Sequence, residues 1–434
     1  MHTSRRLLAL LATLLLLSAC SPYNPGVTTA TPTVPAQSPT STAIAICPAQ
    51  LGPGSCRTPY DLRVAYGVQS LIQRGFTGKG QTIVDIVSYG SPTLQQDMNV
   101  FDKQFGLPPV NIKVMSPIGT VPLNPPPKDL TGWEGETELD VQVIHAIAPD
   151  ARIVVLTSPV DETEGTIGLP QFRQLEQYAL TNHLGNIISQ SFGASEVTLK
   201  DAAGQQEIQK WDAFFKQATT QHGITFFASS GDNGATDYAD LDATKLSPTP
   251  TTSFPTDDPW VTGVGGTSLE RVRPTVNEPA WNMSGGGFSS FFSTPSYQQT
   301  LPASVQNLLK HRRGVPDVAG DADPNTGLAI YISGVWGLGG GTSASAPLWA
   351  AFMAIADQMA GHPLGFIDPA LYKLAASSAY TRDFRDITVG NNTVNKPGLY
   401  VPGYPATRGW DPVTGLGTPI ADKLLPDLIT TING

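Results

Sequence analysis

The sequence predicts an α/β fold with a mostly parallel central sheet and helices on both of its faces. Short apolar runs alternate along the chain with longer stretches of helical periodicity, and this alternation is typical of a parallel sheet covered on both sides. The chain has 434 residues, 40% of them hydrophobic, which is enough for a large core. We expect one large domain over residues 57–434.

The predicted elements follow one another in order. After the Ser91-Pro92-Thr93 start signal, apolar residues recur at helical spacing from Leu94 to Phe105. The predicted strands are 83–88 (IVDIVS), 153–157 (IVVLT), 187–191 (IISQS) and 224–229 (ITFFAS), and the further helices are 136–147, 170–182 and 204–221. In such folds the reactive groups collect at the carboxyl ends of the strands.

Composition excludes several classes of function. Only 14% of residues are charged and the net charge is −10, so a basic nucleic-acid-binding surface is excluded as the main theme. Three cysteines are too few for a disulfide scaffold, and none of the six histidines stands in the HExxH or HxH spacing of common zinc hydrolases. We expect no nucleic-acid partner, and we expect a monomer.

The N-terminus has the pattern of an export signal. Residues 1–20 combine Arg5 and Arg6 with an apolar run over 7–17 that is too short to span a bilayer, which needs about 20 residues. The ending Leu17-Ser18-Ala19-Cys20 resembles the bacterial lipoprotein processing box. We therefore expect an exported lipoprotein, anchored to the extracytoplasmic face of a membrane through Cys20. The alternative is an ordinary signal peptide and a secreted protein.

Residues 21–56 are predicted to form a tether. The part up to residue 46 is rich in Ser, Thr and Pro, carries no charge and cannot bury enough surface to fold. Cys47 and Cys56 follow, nine residues apart. In an exported protein they can close a small disulfide loop, and the alternative is a pair of free thiols.

The sharpest motif is residues 341–347 (GTSASAP), which precede a strong helical run. Ser343 then lies at a helix N-terminus, where free N–H groups favour a developing negative charge. This segment resembles the nucleophile motif of subtilisin-like serine peptidases. The alternative is a Ser/Thr helix cap after a glycine turn.

A serine nucleophile needs a base, and no histidine here stands in an HGTH-like setting. Glu136 and Asp140 are four apart on a predicted helix, so their carboxyl groups share one face. Two carboxyls that close are expected to share a proton and to titrate as a unit. Glu136 can accept the Ser343 proton while Asp140 orients it. The alternative is a solvated acidic helix face, which we expect of Glu134 and Glu138.

Asp232 follows the apolar strand 224–229, within residues 229–234 (SSGDNG). A protonated carboxyl group there can donate a hydrogen bond to the oxyanion of a reacting carbonyl group, which restricts activity to acidic pH. The alternative is an Asp that caps a glycine turn.

Together these motifs resemble the sedolisins, the serine-carboxyl peptidases with a subtilisin-like fold. The resemblance runs from about Arg57 to the end of the chain. It is carried by residues 62–67, 89–92, 136–140, 148–149, 189–193, 230–232, 264–268, 284–287, 316–318 and 341–347. It implies an acid-active peptidase that acts on proteins or peptides. The implied roles are Ser343 as nucleophile, Glu136 as base, Asp140 as its partner and Asp232 in the oxyanion hole.

The same resemblance implies one bound calcium ion. Its ligands would be the carboxylates of Asp386 and Asp411 and the backbone carbonyls of Ile387, Thr407 and Gly409, an oxygen set that suits this cation. Relatives often have glycine where this chain has Thr407, so the backbone there must be unchanged. The alternative is two turn aspartates without metal.

The resemblance also raises open questions. Sedolisins are usually made with a large N-terminal propeptide, and no folded propeptide fits before residue 57, so we expect none. Residues 189–193 and 284–287 are candidate rims for an extended substrate, and Trp133 is either a cleft wall or a core residue. Endopeptidase and tripeptidyl-peptidase activity are both open. Two other functions also stay open: a neutral, histidine-dependent subtilase, and a catalytically silent binding protein on the same fold.

Overall fold

A seven-stranded parallel sheet forms the middle of the body. The structure is a computed structural model that describes residues 46–121 and 126–434; the predicted signal peptide and the tether up to residue 45 lie outside this range. Strand order in the sheet is β11-β8-β6-β4-β1-β3-β2, and every neighbouring pair is parallel. These strands are β1 (Thr82–Ser88), β2 (Asn111–Met115), β3 (Arg152–Ser158), β4 (Ile187–Gln190), β6 (Thr225–Ser229), β8 (Thr262–Thr267) and β11 (Val318–Asp321).

The other described strands form two-stranded pairs around this sheet. These are β5 (Ala194–Ser195) with β7 (Ser253–Phe254), β9 (Gly287–Ser293) with β10 (Arg312–Val315), β12 (Ala329–Ile332) with β13 (Val335–Leu338), β14 (Phe384–Arg385) with β17 (Thr418–Pro419), and β15 (Val394–Lys396) with β16 (Leu399–Val401). The β12–β13 hairpin leads directly into the GTSASAP motif.

Helices cover both faces of the sheet, which confirms the α/β prediction. They are α1 (Pro59–Ala65), α2 (Val68–Gln73), α3 (Leu94–Phe105), α4 (Leu130–Ile147), α5 (Leu169–Thr181), α6 (Ala202–His222), α7 (Ala303–Leu309), α8 (Thr342–Ala360), α9 (Asp368–Ala375), α10 (Tyr380–Asp383) and α11 (Ala421–Asn433). Two short 3₁₀ turns, Glu196–Leu199 and Gln298–Thr300, complete the described helical segments.

Each face of the sheet has its own hydrophobic core. On one face, α3, α4 and α8 pack against alternate strand residues such as Ile83 and Val87. On the other face, α5 and α6 cover Val84 and Ile86 of the same strand. Because side chains alternate along a strand, Asp85 must point to the face that carries α4 and α8. That face carries the candidate catalytic residues.

The structure differs from the sequence prediction in two places, the start of α4 and residues 46–56. Helix α4 begins at Leu130, six residues before the predicted start, although Gly132 and Gly135 disfavour helix. Cys47 and Cys56 are joined by a disulfide bond, with Cα atoms 5.8 Å apart, and both are buried in the main core. The described part of the predicted tether, residues 46–56, is therefore packed on the body rather than disordered.

None of the helices within the described residues is long and apolar enough to cross a membrane.

Candidate active site

Ser343 lies in the first turn of α8, the long helix beneath the sheet. Gly341 precedes the helix and Thr342 is its first residue. Helix α8 packs against α4 and against β4, β6 and β8. The Ser343 backbone N–H has no acceptor among the described residues, as expected for the first turn of a helix. A donor is thus available beside the serine hydroxyl.

Gly341 brings Ser343 and Asp232 together. Its φ is +84°, which disfavours any residue with a side chain. A Cβ atom there would lie 2.5 Å from Oδ2 of Asp232. The motif therefore needs glycine both for its backbone conformation and for the close approach of the Asp232 carboxyl group.

Asp232 follows β6 and is tied to the start of α8 through one oxygen. Its Oδ1 accepts hydrogen bonds from the Thr342 backbone N–H at 2.8 Å and from the Thr342 hydroxyl at 2.9 Å. Burial raises the pKa of Asp232 above its ordinary value, and the two Thr342 contacts partly oppose this rise. Asp232 and Ser343 line the same cavity, so a proton on the oxygen that does not accept from Thr342 is available to a substrate there.

Glu136 faces Ser343 from α4. Burial raises the pKa of the Glu136 carboxyl to about 8, although contact with the Ser343 hydroxyl favours the ionised form and opposes the rise. Its Oε1 atom has no hydrogen-bond partner among the described residues. In its ionised form a carboxyl with a raised pKa is a strong proton acceptor, and Glu136 lies next to a serine hydroxyl.

Asp140 lies one helical turn after Glu136 and is fully buried. Its pKa is raised well above the ordinary value, chiefly by burial and then by the nearby Asp85 and Glu136 carboxyls. Asp140 Oδ1 accepts a hydrogen bond from the Ser191 hydroxyl at 2.8 Å, and Oδ2 has no partner among the described residues. The structure thus brings together all four residues that the sequence predicted, Ser343, Glu136, Asp140 and Asp232.

Asp85, in the middle of β1, extends this set and was missed by the sequence analysis. It is fully buried, and neither of its carboxyl oxygens has a donor among the described residues. Burial raises its pKa to about 7, and its carboxyl group contacts that of Asp140. Two carboxyls this close cannot both ionise easily, so we expect Asp85 and Asp140 to share a proton. The available signal was a lone acid within the apolar strand IVDIVS.

Pro347 leaves the Ser343 backbone carbonyl without its helical partner. In a helix the N–H of residue 347 would donate to the carbonyl of residue 343, but proline has no N–H. The Ser191 hydroxyl, just beyond β4, lies 3.2 Å from that carbonyl oxygen. Ser191 thus contacts both the backbone of the serine and the side chain of Asp140.

Some residues expected near the site have other surroundings. The prediction of a solvated Glu138 is wrong: Glu138 is fully buried and accepts hydrogen bonds from Ser91 at 2.8 Å and from Gln142 at 3.2 Å. Within the described residues, no histidine lines the cavities beside Ser343 and Glu136. His145 is buried on α4, where its Nε2 lies 3.1 Å from Oδ1 of Asp102.

An open cleft borders the candidate residues. A cavity of about 190 Å³ is lined by Ser343, Asp232 and Phe192, and a second of about 330 Å³ by Glu136 and Trp133. Trp133 also packs edge-on against Phe172, so it is both a cleft wall and a core residue.

The two candidate rims differ in position. Residues 191–193 line the first cavity, but residues 284–287 do not. Residues 284–287 instead form hydrogen bonds with the turn that carries Asp232. Gly285 N–H donates to the Gly231 carbonyl at 2.7 Å, and the Ser230 hydroxyl donates to the Gly285 carbonyl at 2.8 Å.

The residues predicted to bind calcium lie close together, and they offer carboxylate and carbonyl oxygens as possible ligands. Gly409 N–H donates to Asp386 Oδ1 and Thr407 N–H donates to Asp411 Oδ2, each at 3.0 Å. The carbonyl oxygens of Ile387, Thr407 and Gly409 accept no hydrogen bond from the described residues. Thr407 has no positive φ, so its side chain causes no backbone strain.

This set contains only two carboxylates, and the described residues hold no cluster of three or more His, Cys, Asp or Glu arranged for a metal. Burial raises the pKa of Asp411 to about 7, although hydrogen bonds from the backbone of Thr407, Thr414 and Val413 favour its ionised form. A cation would favour that form further. Two carboxylates with three free carbonyls therefore fit a hard cation that prefers oxygen ligands.

Comparison with known proteins gives one consistent group. The chain is similar to kumamolisin from Bacillus sp. (strain MN-32), with 34% identity over 382 residues, 86% of this chain and 63% of that protein. Sedolisin from Pseudomonas sp. (strain 101) is 33% identical over 353 residues, 78% and 56% of the two chains. Human tripeptidyl-peptidase 1 is 30% identical over 311 residues, 68% and 52%. The chain thus spans about half to two thirds of the length of these relatives.

The fold gives the same result. A crystal structure of Pseudomonas sedolisin, a serine-carboxyl proteinase complexed with two molecules of pseudo-iodotyrostatin, has a TM-score of 0.71 and 28% identity to this chain. The match covers 85% of this chain and 96% of that one. No protein-family model matches the sequence. From the relatives and the shared fold together, the chain belongs to the sedolisin family.

Proposed function

We propose that this protein is an acid-active serine-carboxyl peptidase that hydrolyses peptide bonds of proteins or peptides. The observation that carries the proposal is the contact between the buried Glu136 carboxyl and the Ser343 hydroxyl. No histidine lines the cleft within the described residues, so Glu136 is the group positioned to take the serine proton.

In the first half of the reaction, Ser343 Oγ attacks the substrate carbonyl carbon and its proton passes to Glu136. Negative charge then develops on the carbonyl oxygen. The Ser343 backbone N–H and a proton on Oδ2 of Asp232 are donors for that oxygen. Protonated Glu136 gives its proton to the leaving amine, the C–N bond breaks, and an acyl-enzyme remains on Ser343.

In the second half, water replaces the amine. Glu136 takes a proton from the water molecule as its oxygen attacks the acyl carbon, and the same proton returns to Ser343 as the ester bond breaks. Asp140, held by the Ser191 hydroxyl, orients Glu136 and shares a proton with it. Because the three carboxyls Glu136, Asp140 and Asp85 cannot all ionise together, the set carries few charges in acid.

The test is hydrolysis of an unfolded protein from pH 2 to 8 by wild type, Ser343→Ala and Glu136→Ala. We expect cleavage below about pH 5 that is lost in both variants. His145→Ala is the matched control, since a histidine-dependent subtilase would lose activity there. Undiminished cleavage at pH 8 would contradict the mechanism, and a folded but silent wild type would favour the binding-protein alternative. The lengths of the products separate endopeptidase from tripeptidyl-peptidase activity.

The proposal includes one calcium ion at Asp386, Ile387, Thr407, Gly409 and Asp411. The ion would stabilise the C-terminal loops rather than take part in proton transfer. We expect a chelator to lower the melting temperature and calcium, but not magnesium, to restore it. Asp411→Asn should remove this response. A melting temperature that neither the chelator nor added calcium changes would contradict the site.

The proposal places the enzyme outside the cytoplasm, anchored by lipid on Cys20. The lipoprotein-type pattern at 17–20 supports it. Detergent phase partitioning of the protein from its host, compared with a Cys20→Ser variant, tests it. Recovery of both in the aqueous phase would favour the ordinary signal peptide and a secreted enzyme.

A further inference from the structure

Carboxyl groups without cationic partners surround the cleft beside Ser343. Beyond the 190 Å³ cavity lies a larger one of about 730 Å³, and the two share the lining residues Glu164, Gly193 and Tyr238. The acids come from three separate segments of the chain, namely Asp129 at the start of α4, Asp161, Glu162 and Glu164 after β3, and Asp237 after β6. None of these five forms an ion pair within the described residues.

Glu162 is a buried member of this cluster. Its side chain lines the cavities next to both Glu136 and Glu164 and is only 7% exposed. Its Oε1 atom has no hydrogen-bond partner among the described residues. The Gly193 backbone N–H favours the ionised form of this carboxyl, but burial still raises its pKa well above the ordinary value. A positive charge beside the unpartnered oxygen would stabilise the ionised form.

Glu164 links the cluster to the catalytic cavity. One carboxyl oxygen accepts hydrogen bonds from Ser195 N–H and the Thr198 hydroxyl, both at 2.9 Å. The other oxygen accepts no hydrogen bond from the described residues. Burial, and then the nearby Asp237 carboxyl, raise the pKa of Glu164 to about 7.

The wall of the cleft suits an alkyl chain that ends in a positive charge. Trp133 and Phe192 line the cavity beside Glu162, and aromatic faces attract cations. Among the described residues that line the larger cavity, five are acids and Lys128 is the single basic one. The described residues hold no arrangement of three acids that would suit a metal ion instead.

Building on the proposed peptidase function, we infer that the cleft takes a positively charged nitrogen of the substrate against Glu162 and Glu164. The nitrogen belongs to a lysine or arginine side chain or to the free amino terminus of the peptide. A cation favours the ionised form of a nearby carboxyl, so binding releases protons. Affinity for a cationic peptide should therefore rise with pH, by up to tenfold per unit for each proton released.

Binding to the Ser343→Ala variant tests this without catalysis. The probes are peptides identical except for one residue, lysine or norleucine, moved through six positions, each with a free or acetylated amino terminus. Dissociation constants are measured from pH 3 to 6. We expect at least tenfold tighter binding of a lysine peptide, or of the free amino terminus, and a preference that grows with pH. A preference for lysine over norleucine would identify a side chain as the source of the nitrogen. A preference for the free over the acetylated amino terminus would identify the amino terminus.

Two further variants, Glu162→Gln and Glu164→Gln, should each reduce that preference at least threefold in the Ser343→Ala background. Glu134→Gln, which removes a carboxyl from the same helix as Glu136 but outside these cavities, should keep it. Equal binding of all probes would overturn the inference even if the wild type cleaves them. Preference without cleavage by the wild type would support the inference and contradict the peptidase proposal.

Discussion

The Ser191 hydroxyl oxygen lies 3.2 Å from the backbone carbonyl oxygen of Ser343. That carbonyl is free because Pro347 cannot donate to it, so the proline inside α8 opens a place for a side chain from the end of β4. The same hydroxyl donates to Asp140 at 2.8 Å. One serine thus links the backbone of the proposed nucleophile to the carboxyl group that orients the proposed base.

Ser191→Ala should lower kcat/KM about 10- to 100-fold, because a hydrogen bond to a charged group contributes about 1.5–3 kcal/mol. Peptide hydrolysis at the optimum pH measures this loss. Ser189→Ala is the control, since the Ser189 hydroxyl is buried on the preceding strand without a partner among the described residues. Equal losses in the two variants would mean that the strand, not the hydrogen bond, is responsible.

Asp85→Asn should move the acid limb of the pH profile of kcat/KM to lower pH. The Asp85 carboxyl raises the pKa of both Asp140 and Glu136, so its removal lets the base ionise in stronger acid. Steady-state kinetics from pH 2 to 6 check the shift. A purely structural role would lower the rate at every pH and leave the limb in place.

Asp232→Ala should cost about 10²- to 10³-fold in kcat through the loss of one oxyanion donor. Asp232→Asn keeps a donor that cannot ionise, and its carbonyl oxygen can still accept from Thr342. Since the proposed donor is the protonated acid, wild-type activity falls as pH rises through a pKa that burial holds above 3.8. This alkaline limb should vanish in the Asn variant; its persistence would assign the limb to another group.

Gly341→Ala should abolish most activity, because the new methyl group would displace Asp232 Oδ2. Gly334→Ala is a matched control. Gly334 has a φ of +90° in the β12–β13 turn, and no described atom lies within 4 Å of the place that its new methyl group would take. It should lose only about 1 kcal/mol of stability and keep its activity. Thermal unfolding and peptide hydrolysis of both variants separate backbone strain from the clash.

Glu138→Gln should make stability less dependent on pH. Burial raises the pKa of Glu138 to about 8 from an ordinary 4.5, so between these values the folded state holds a proton that the unfolded state has lost. The contribution of Glu138 to the free energy of unfolding is fully present below about pH 4.5 and is lost as the pH rises to about 8. The amide should raise the melting temperature relative to wild type at pH 9 but not at pH 4, whereas Glu134→Gln should have no such effect.

The sequence predicted the fold and the four proposed catalytic residues because their signals are local. Apolar runs marked four of the seven strands of the central sheet, and the spacing of Glu136 and Asp140 marked a shared helix face. The start of α4 was placed too late because its first turns hold two glycines, while packing of Trp133 on Phe172 adds stability that propensity does not include.

Glu138 was misread and Asp85 was missed because their surroundings come from distant parts of the chain. Glu138 accepts a hydrogen bond from Ser91, 47 residues earlier in the chain. Asp85 has an acid environment only because α4 lies across β1 at Asp140. No window of sequence around either residue contains these partners.

The disulfide near the start of the described chain also defines a mechanical path. Tension applied before Cys47 crosses the sulfur bridge to Cys56, bypasses residues 48–55, and reaches Arg57. Arg57 is held by two backbone hydrogen bonds, to Gly327 at 2.8 Å and from Ala329 at 2.9 Å. Ala329 begins the hairpin that leads to Ser343. A pull on the N-terminal side would therefore reach the hairpin that precedes Ser343 in the chain.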